Sequence, residues 1–141
     1  MNSLSLEYPV LCFSQNLVRV KNSLEDLTTC SKTALRNGYF SNLEVVDSRG
    51  HIVRVHGARK LSGVGMFWGY NIFLNQRIKV ELFFEAQPVQ IALANVKGKV
   101  LKSFNKWHGW ASRDDFEELV ANVKAAKSVP EIVALVSDPK R

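Results

Sequence analysis

Residues 42 to 55 read NLEVVDSRGHIVRV, with apolar and polar side chains alternating on both sides of DSRG. A period of two sends successive side chains to opposite faces of a strand, and Asp47 and Gly50 are residues that turns favour. The segment predicts a β-hairpin, and with it a largely antiparallel sheet. PVLCF (9 to 13) and LVRV (17 to 20) have the β-branched and aromatic content of two further strands, with SQN as their turn. YNIFLN and RIKVELFF continue in strand style to Phe84, where EAQP breaks the pattern. About five strands are expected.

Between these strands, Ser23 and Asp26 stand in capping-box spacing, and Asn37 and Gly38 suit a left-handed helix stop. One or two short helical turns are expected over residues 24 to 36. From residue 93 the period changes. Leu93, Val96, Val100, Leu101, Phe104 and Trp107 fall on one helical stripe, and Gly98 weakens that helix without excluding it. ASRDDFEELVANVKAAK opens with Ser112 and Asp115 in capping-box spacing and turns Phe116, Leu119, Val120 and Val123 inward. SVPEIVALV repeats the device with Ser128 and Glu131, and Pro130 suits a first turn. Strands followed by helices describe one α+β domain over residues 1–141, with two to three C-terminal helices packed on the sheet.

Composition agrees with a single core, since 141 residues with 46% apolar and 23% charged side chains need no second domain. The net charge of +6 is uneven: 8 basic and 5 acidic residues over 1–60, 6 and 2 over 61–111, and 5 and 6 over 112–141. A basic field draws acidic partners, whether nucleic acid, anionic lipid or acidic protein, or it serves solubility alone. Cys12 and Cys30 have neither metal-type spacing nor the density of a disulfide-stapled domain, so reduced thiols are expected. The first residues lack a basic stretch ahead of an apolar one, and no apolar run approaches about 18 residues. A cytoplasmic protein without a membrane partner is the expectation.

Two dense stretches invite a functional reading. SGVGMFWGYN (62 to 71) nearly matches a dinucleotide fingerprint, but Trp68 stands where the third glycine belongs and strand-like sequence follows instead of a helix. Its glycines are better read as bends, with Met66, Phe67, Trp68 and Tyr70 filling the end of the core or forming a partly exposed patch. KWHGWAS (106 to 112) reads as a tight corner between helices, with Gly109 as the stop and the indoles inside, or as a Trp-rich contact surface. The two readings are compatible.

Catalytic constellations are weaker. His51, His56 and His108 lack HExxH-type spacing, and His51 and His56 differ by an odd number, which in a regular strand sends them to opposite faces. A small nuclease would need these histidines to converge for general acid/base work, and nothing in their spacing says that they do. Cys30 sits in no nucleophile signature, and the acids of DDFEEL suit a helix N-terminus. No cofactor or metal is implied. Arg49, Arg54, Arg59 and Lys60 gather around the hairpin, and Lys97, Lys99, Lys102 and Lys106 decorate a helix, which with nearby aromatics would suit single-stranded nucleic acid. No RNP-like, KH-type or zinc-finger pattern accompanies them.

At LTTCSKTALRNGYFSNLEVVDSRG, FWGYNIFLNQRIKVELFF and KSFNKWHGWASRDDF the chain resembles the small single-domain immunity proteins of bacterial toxin-immunity systems, including those of contact-dependent growth inhibition. The resemblance spans roughly residues 8 to 136. It implies a cytosolic protein, without chemistry of its own, that binds a cognate toxin domain and blocks its active site or an essential surface. Immunity proteins against nucleases are often acidic, so this basic chain suits a toxin with an acidic face or another activity. The proposed contacts are Trp68, Tyr70 and Trp110 as anchors, with Arg54, Arg59 and Lys60 as steering or hydrogen-bonding groups. A basic nucleic-acid-binding module is the alternative, and a histidine nuclease the next.

Overall fold

The computed structural model describes residues 6–14, 17–63, 77–85, 87–106 and 108–137. Strands β1 (Val10–Ser14) and β2 (Leu17–Lys21) form the first expected hairpin, pairing antiparallel from Ser14 opposite Leu17 to Val10 opposite Lys21. Helix α1 (Leu24–Leu27) starts at Ser23, whose hydroxyl accepts from Asp26 N. Helix α2 (Lys32–Arg36) starts at Ser31, whose hydroxyl accepts from Ala34 N. These are the two turns expected over 24 to 36, but Thr29–Ser31 between them is a strand, β3. Gly38, at φ 79°, lies in the left-handed region just beyond α2, as its place in the sequence predicts.

The central hairpin is β4 (Leu43–Val46) and β5 (His51–Gly63), with Gly50 at φ 85° in the turn. Strand β5 runs eight residues past the expected HIVRV and carries irregularities at His56 and Leu61. Strand β6 (Arg77–Phe84) pairs along this extension, and the two-residue β7 (Val89–Gln90) pairs with its first residues. All pairings are antiparallel, in the order β2-β1-β4-β5-β6-β3, with β7 beside β5. Among the described residues the sheet has seven strands where about five were expected, the short β3 and β7 being the additions, and the expected strand segment YNIFLN lies outside the described residues.

Helices α3 (Leu93–Lys106), α4 (His108–Ala111), α5 (Phe116–Ala125) and α6 (Val129–Val136) follow, four where two to three were expected, the one-turn α4 being the addition, and the chain is the expected α+β domain. Val96, Val100 and Phe104 of the α3 stripe are buried, while Trp107 lies outside the described residues. Gly109 lies within α4 and does not end a helix. The expected start of α5 at Ser112 is displaced to Phe116. Asp115 takes the cap position without a side-chain cap bond, because both its carboxylate oxygens accept from the Arg113 guanidinium, at 2.9 and 2.8 Å. Helix α6 starts as expected, with Ser128 accepting from Glu131 N and Pro130 in the first turn.

The sheet carries a core on each face. Leu11, Phe13, Val18 and Val46 pack with α3, α4, α5 and α6, whereas Val10, Cys12, Leu43, Val45, Val53, Val55, Ile78, Val80 and Leu82 pack on the other side under Leu27, Cys30 and Phe40. Strand β1 serves both, so every one of its residues is buried, which accounts for the unbroken apolar run VLCF. On the helical side Phe104 packs on Trp110 at 4.6 Å between ring centroids with the planes tilted by 40°, and meets Phe116 edge-on at 6.1 Å. Phe104→Ala should therefore lose about 3–5 kcal/mol in urea denaturation, because it removes a fully buried ring and leaves two others facing a void.

A buried carboxylate ties the N-terminal segment to the central turn. Asp47 is fully buried, and its oxygens accept from Arg49 N and His51 N at 3.0 Å, from Glu7 N at 3.2 Å and from the Arg49 guanidinium at 3.1 Å. Burial alone would raise its pKa, but these donors hold it below the ordinary carboxylate value. A depressed native pKa stabilises the fold above the unfolded value of about 3.9 and ceases to do so as pH falls through the native one. Asp47→Asn should thus cost about 1–3 kcal/mol at pH 7, and its deficit relative to the parent should shrink in denaturation curves taken below pH 4.

Candidate partner-binding surface

Of the six contact residues proposed from the sequence, Trp68 and Tyr70 lie outside the described residues. Arg54, Arg59 and Lys60 are all exposed on β5. Arg54 and Arg59 are five apart, and the irregularity at His56 offsets that odd spacing, so each arginine stands opposite a glutamate across the ladder: Arg54 opposite Glu44 and Arg59 opposite Glu81. Both pairs are ion-paired, Arg54 Nη2 lying 3.0 Å from Glu44 Oε2 and Arg59 Nη2 donating to Glu81 Oε1. Lys60, next along the strand, forms no ion pair among the described residues.

Trp110 is only 4% exposed. Its indole packs on Phe104 and lies under the Arg113 guanidinium, 5.7 Å from the ring, so it is a core side chain with a covered face and not a projecting anchor. Of the two readings of KWHGWAS, the packed corner is the one this tryptophan adopts.

The lysines of α3 are also partly engaged. Lys99 donates to Glu44 Oε1, and Lys97 Nζ donates to the Lys124 carbonyl oxygen at 2.7 Å. Glu44 therefore holds two cations, one from β5 and one from α3. Burial would raise its pKa, but hydrogen bonds and charge from Lys99 and Arg54 hold it below the ordinary glutamate value.

His51 Nδ1 lies 3.8 Å from Asp47 Oδ1 in the turn, while His56 Nδ1 lies 3.8 Å from Glu85 Oε2 beyond the end of β6. The His108 side chain is not among those described. No three His, Cys, Asp or Glu side chains among the described residues are placed to hold a metal ion. Burial pushes the Cys12 thiol up to about 12, so almost none of it is the thiolate that nucleophilic chemistry requires at neutral pH.

A further concavity lies elsewhere, along a strand that carried no proposed contact. A cleft of about 530 Å³ follows Leu17–Asn22, the length of β2, with Trp110, Val136 and Ser137 at its other wall. Arg19 and Lys21 border it and also border a smaller cleft of about 230 Å³ reaching Thr29, Cys30 and Tyr39 on the opposite face. Neither of these two basic residues has an ion-pair partner among the described residues. Their signal is present in LVRVK, where basic residues alternate with valines. Reading that segment for strand content alone passed over it, since only the strand order reveals that β2 is an edge.

No protein-family model, curated protein or solved structure matches the chain. No helix among the described residues is long and apolar enough to cross a membrane.

Glu44→Gln should cost about 1–2 kcal/mol at low ionic strength, because two cations lose their shared carboxylate. Denaturation repeated in about 1 M salt, where the Debye length is roughly 3 Å, should show a smaller deficit if the exposed Arg54 contact contributes as an ion pair.

Proposed function

We propose that this chain is an immunity protein that binds a cognate bacterial toxin domain and neutralises it by covering its active site or an essential surface, without chemistry of its own. The observation that carries a binding role is the long cleft along β2, bordered by two basic side chains that the described residues leave without acidic partners. Arg59 and Lys60, near the end of β5 and a few residues ahead of Trp68 and Tyr70 in sequence, form the second candidate contact region. The toxin itself is inferred from the resemblance, and the compartment we propose is the cytoplasm.

The placement of cations supports a protein partner over nucleic acid. A strand of phosphates is best held by basic side chains with free charge along a common track. Here Arg54, Arg59 and Lys99 each already face a carboxylate and Lys97 is turned to a carbonyl, which leaves Arg19 and Lys21, only two residues apart, as a short pair of charges and not a long track. Electrostatic steering toward an acidic protein face needs only the summed field, which the net charge of +6 supplies.

The test is coexpression of the tagged chain with the product of the adjacent upstream gene, followed by purification with a high-salt wash. A stoichiometric complex and rescue of host growth are expected. Failure to retain that product, together with copurifying nucleic acid that leaves as salt rises, would overturn the proposal in favour of a nucleic-acid module.

A further inference from the structure

We infer that the open edge of β2 is a strand-addition site, which takes an extended acidic segment of the partner protein as the next strand of the sheet. The inference rests on the binding role proposed above and names the mode of contact. Strand β2 ends the strand order and, among the described residues, pairs with β1 alone. In an antiparallel ladder every second residue of an edge strand turns its N–H and C=O away from its neighbour, so two or three of the five residues of β2 present backbone donors and acceptors outward. The 530 Å³ cleft runs along that edge from Leu17 to Asn22, which leaves room for a chain beside it.

Charge then selects the occupant. Arg19 and Lys21 stand two apart on the strand and so share a face, and none of the described residues that line the cleft is acidic. Asp26, on α1 beyond the strand, has its Oδ2 accepting from Asn22 N at 3.0 Å and is engaged there. An incoming strand with acidic residues at alternate positions would set a carboxylate against each cation while its backbone completes the ladder. A second copy fits poorly. Two β2 strands paired antiparallel about Arg19 set Arg19 against Arg19, and pairing about Val20 sets Arg19 against Lys21. Nucleic acid can satisfy the cations and accept from the outward N–H groups, but its phosphates have no donor for the alternating carbonyls.

Basic residues on an edge also serve to deter aggregation, and the experiment separates that role from recognition. The probes are an eight-residue peptide alternating threonine with glutamate, its lysine counterpart, and the glutamate peptide with proline at the threonine positions. Binding to the full chain is read by fluorescence anisotropy, and amide hydrogen exchange by NMR locates it. The glutamate peptide should bind and slow exchange of the outward β2 amides at least tenfold, while the lysine and proline peptides should not. Reversal by Arg19→Glu with Lys21→Glu should weaken the glutamate peptide at least tenfold and admit the lysine peptide. The neutral pair Arg19→Gln with Lys21→Gln controls for folding, and should weaken the glutamate peptide without admitting the lysine one.

Equal binding of the proline peptide, or protection absent from β2, would overturn the inference and leave Arg19 and Lys21 as edge-guarding charges. So would a toxin complex that forms undiminished with the charge-reversed chain, in which case the immunity reading stands and only the mode of contact falls. Peptide binding at β2 with no complex from the upstream gene product would do the reverse.

Discussion

Burial of β1 on both faces is the constraint from which the rest of the molecule follows. Its side chains divide strictly by parity, with Leu11 and Phe13 under the helices and Val10 and Cys12 under the opposite cap of Leu27, Cys30 and Phe40. Fully burying one such side chain contributes roughly 1.5–3 kcal/mol, so a one-residue slip of this strand would exchange the contents of two cores at once. Its neighbours are thereby fixed in register, with β4 on one side and β2 on the other. Strand β2 inherits its position from this hairpin and ends the sheet there.

The same economy governs charge on the sheet. Ladder register brings Glu44 against Arg54 and Glu81 against Arg59, and helix packing brings Lys99 to Glu44 from above the sheet. Much of the basic excess around the hairpin is consumed within the fold, whereas Arg19 and Lys21, on a strand with one neighbour, have no facing acid among the described residues. Net charge alone cannot make that distinction. It depends on which strands lie next to each other.

Local signals carried much of the architecture. The DSRG hairpin, the Ser23 and Ser128 caps, the Gly38 stop and the α3 stripe each depend on residues within one turn or one ladder step, and each could be read from the chain. What escaped was set at a distance. Thr29–Ser31 becomes a strand because β6 lies beside it, and Asp47 is fully buried because Glu7, forty residues earlier, folds over the turn. Helix α5 starts after Asp115 and not at Ser112, and the Arg113–Asp115 pair beside that start is not betrayed by two-residue spacing. Trp110 is a similar case. Its burial matches the packed-corner reading of KWHGWAS, and what the spacing did not show is that Phe104, six residues earlier, is the ring it packs on. Glu44 opposite Arg54 is legible in the chain, because the turn fixes the register of the hairpin.

An edge strand exposes backbone groups that solvent can satisfy at little cost, so its openness alone implies nothing about a partner. What distinguishes β2 is the coincidence of three features with different origins. Its edge position follows from topology, its cleft from the spacing between β2 and the α4 and α6 ends, and its pair of cations from a sequence alternation that packing does not require. Protection against aggregation would account for the cations but not for a cleft the length of the strand, and loose helix packing would account for the cleft but not for cations along it. Recognition of an acidic strand requires all three together, since backbone pairing supplies contact along the edge while the alternate side chains choose among sequences.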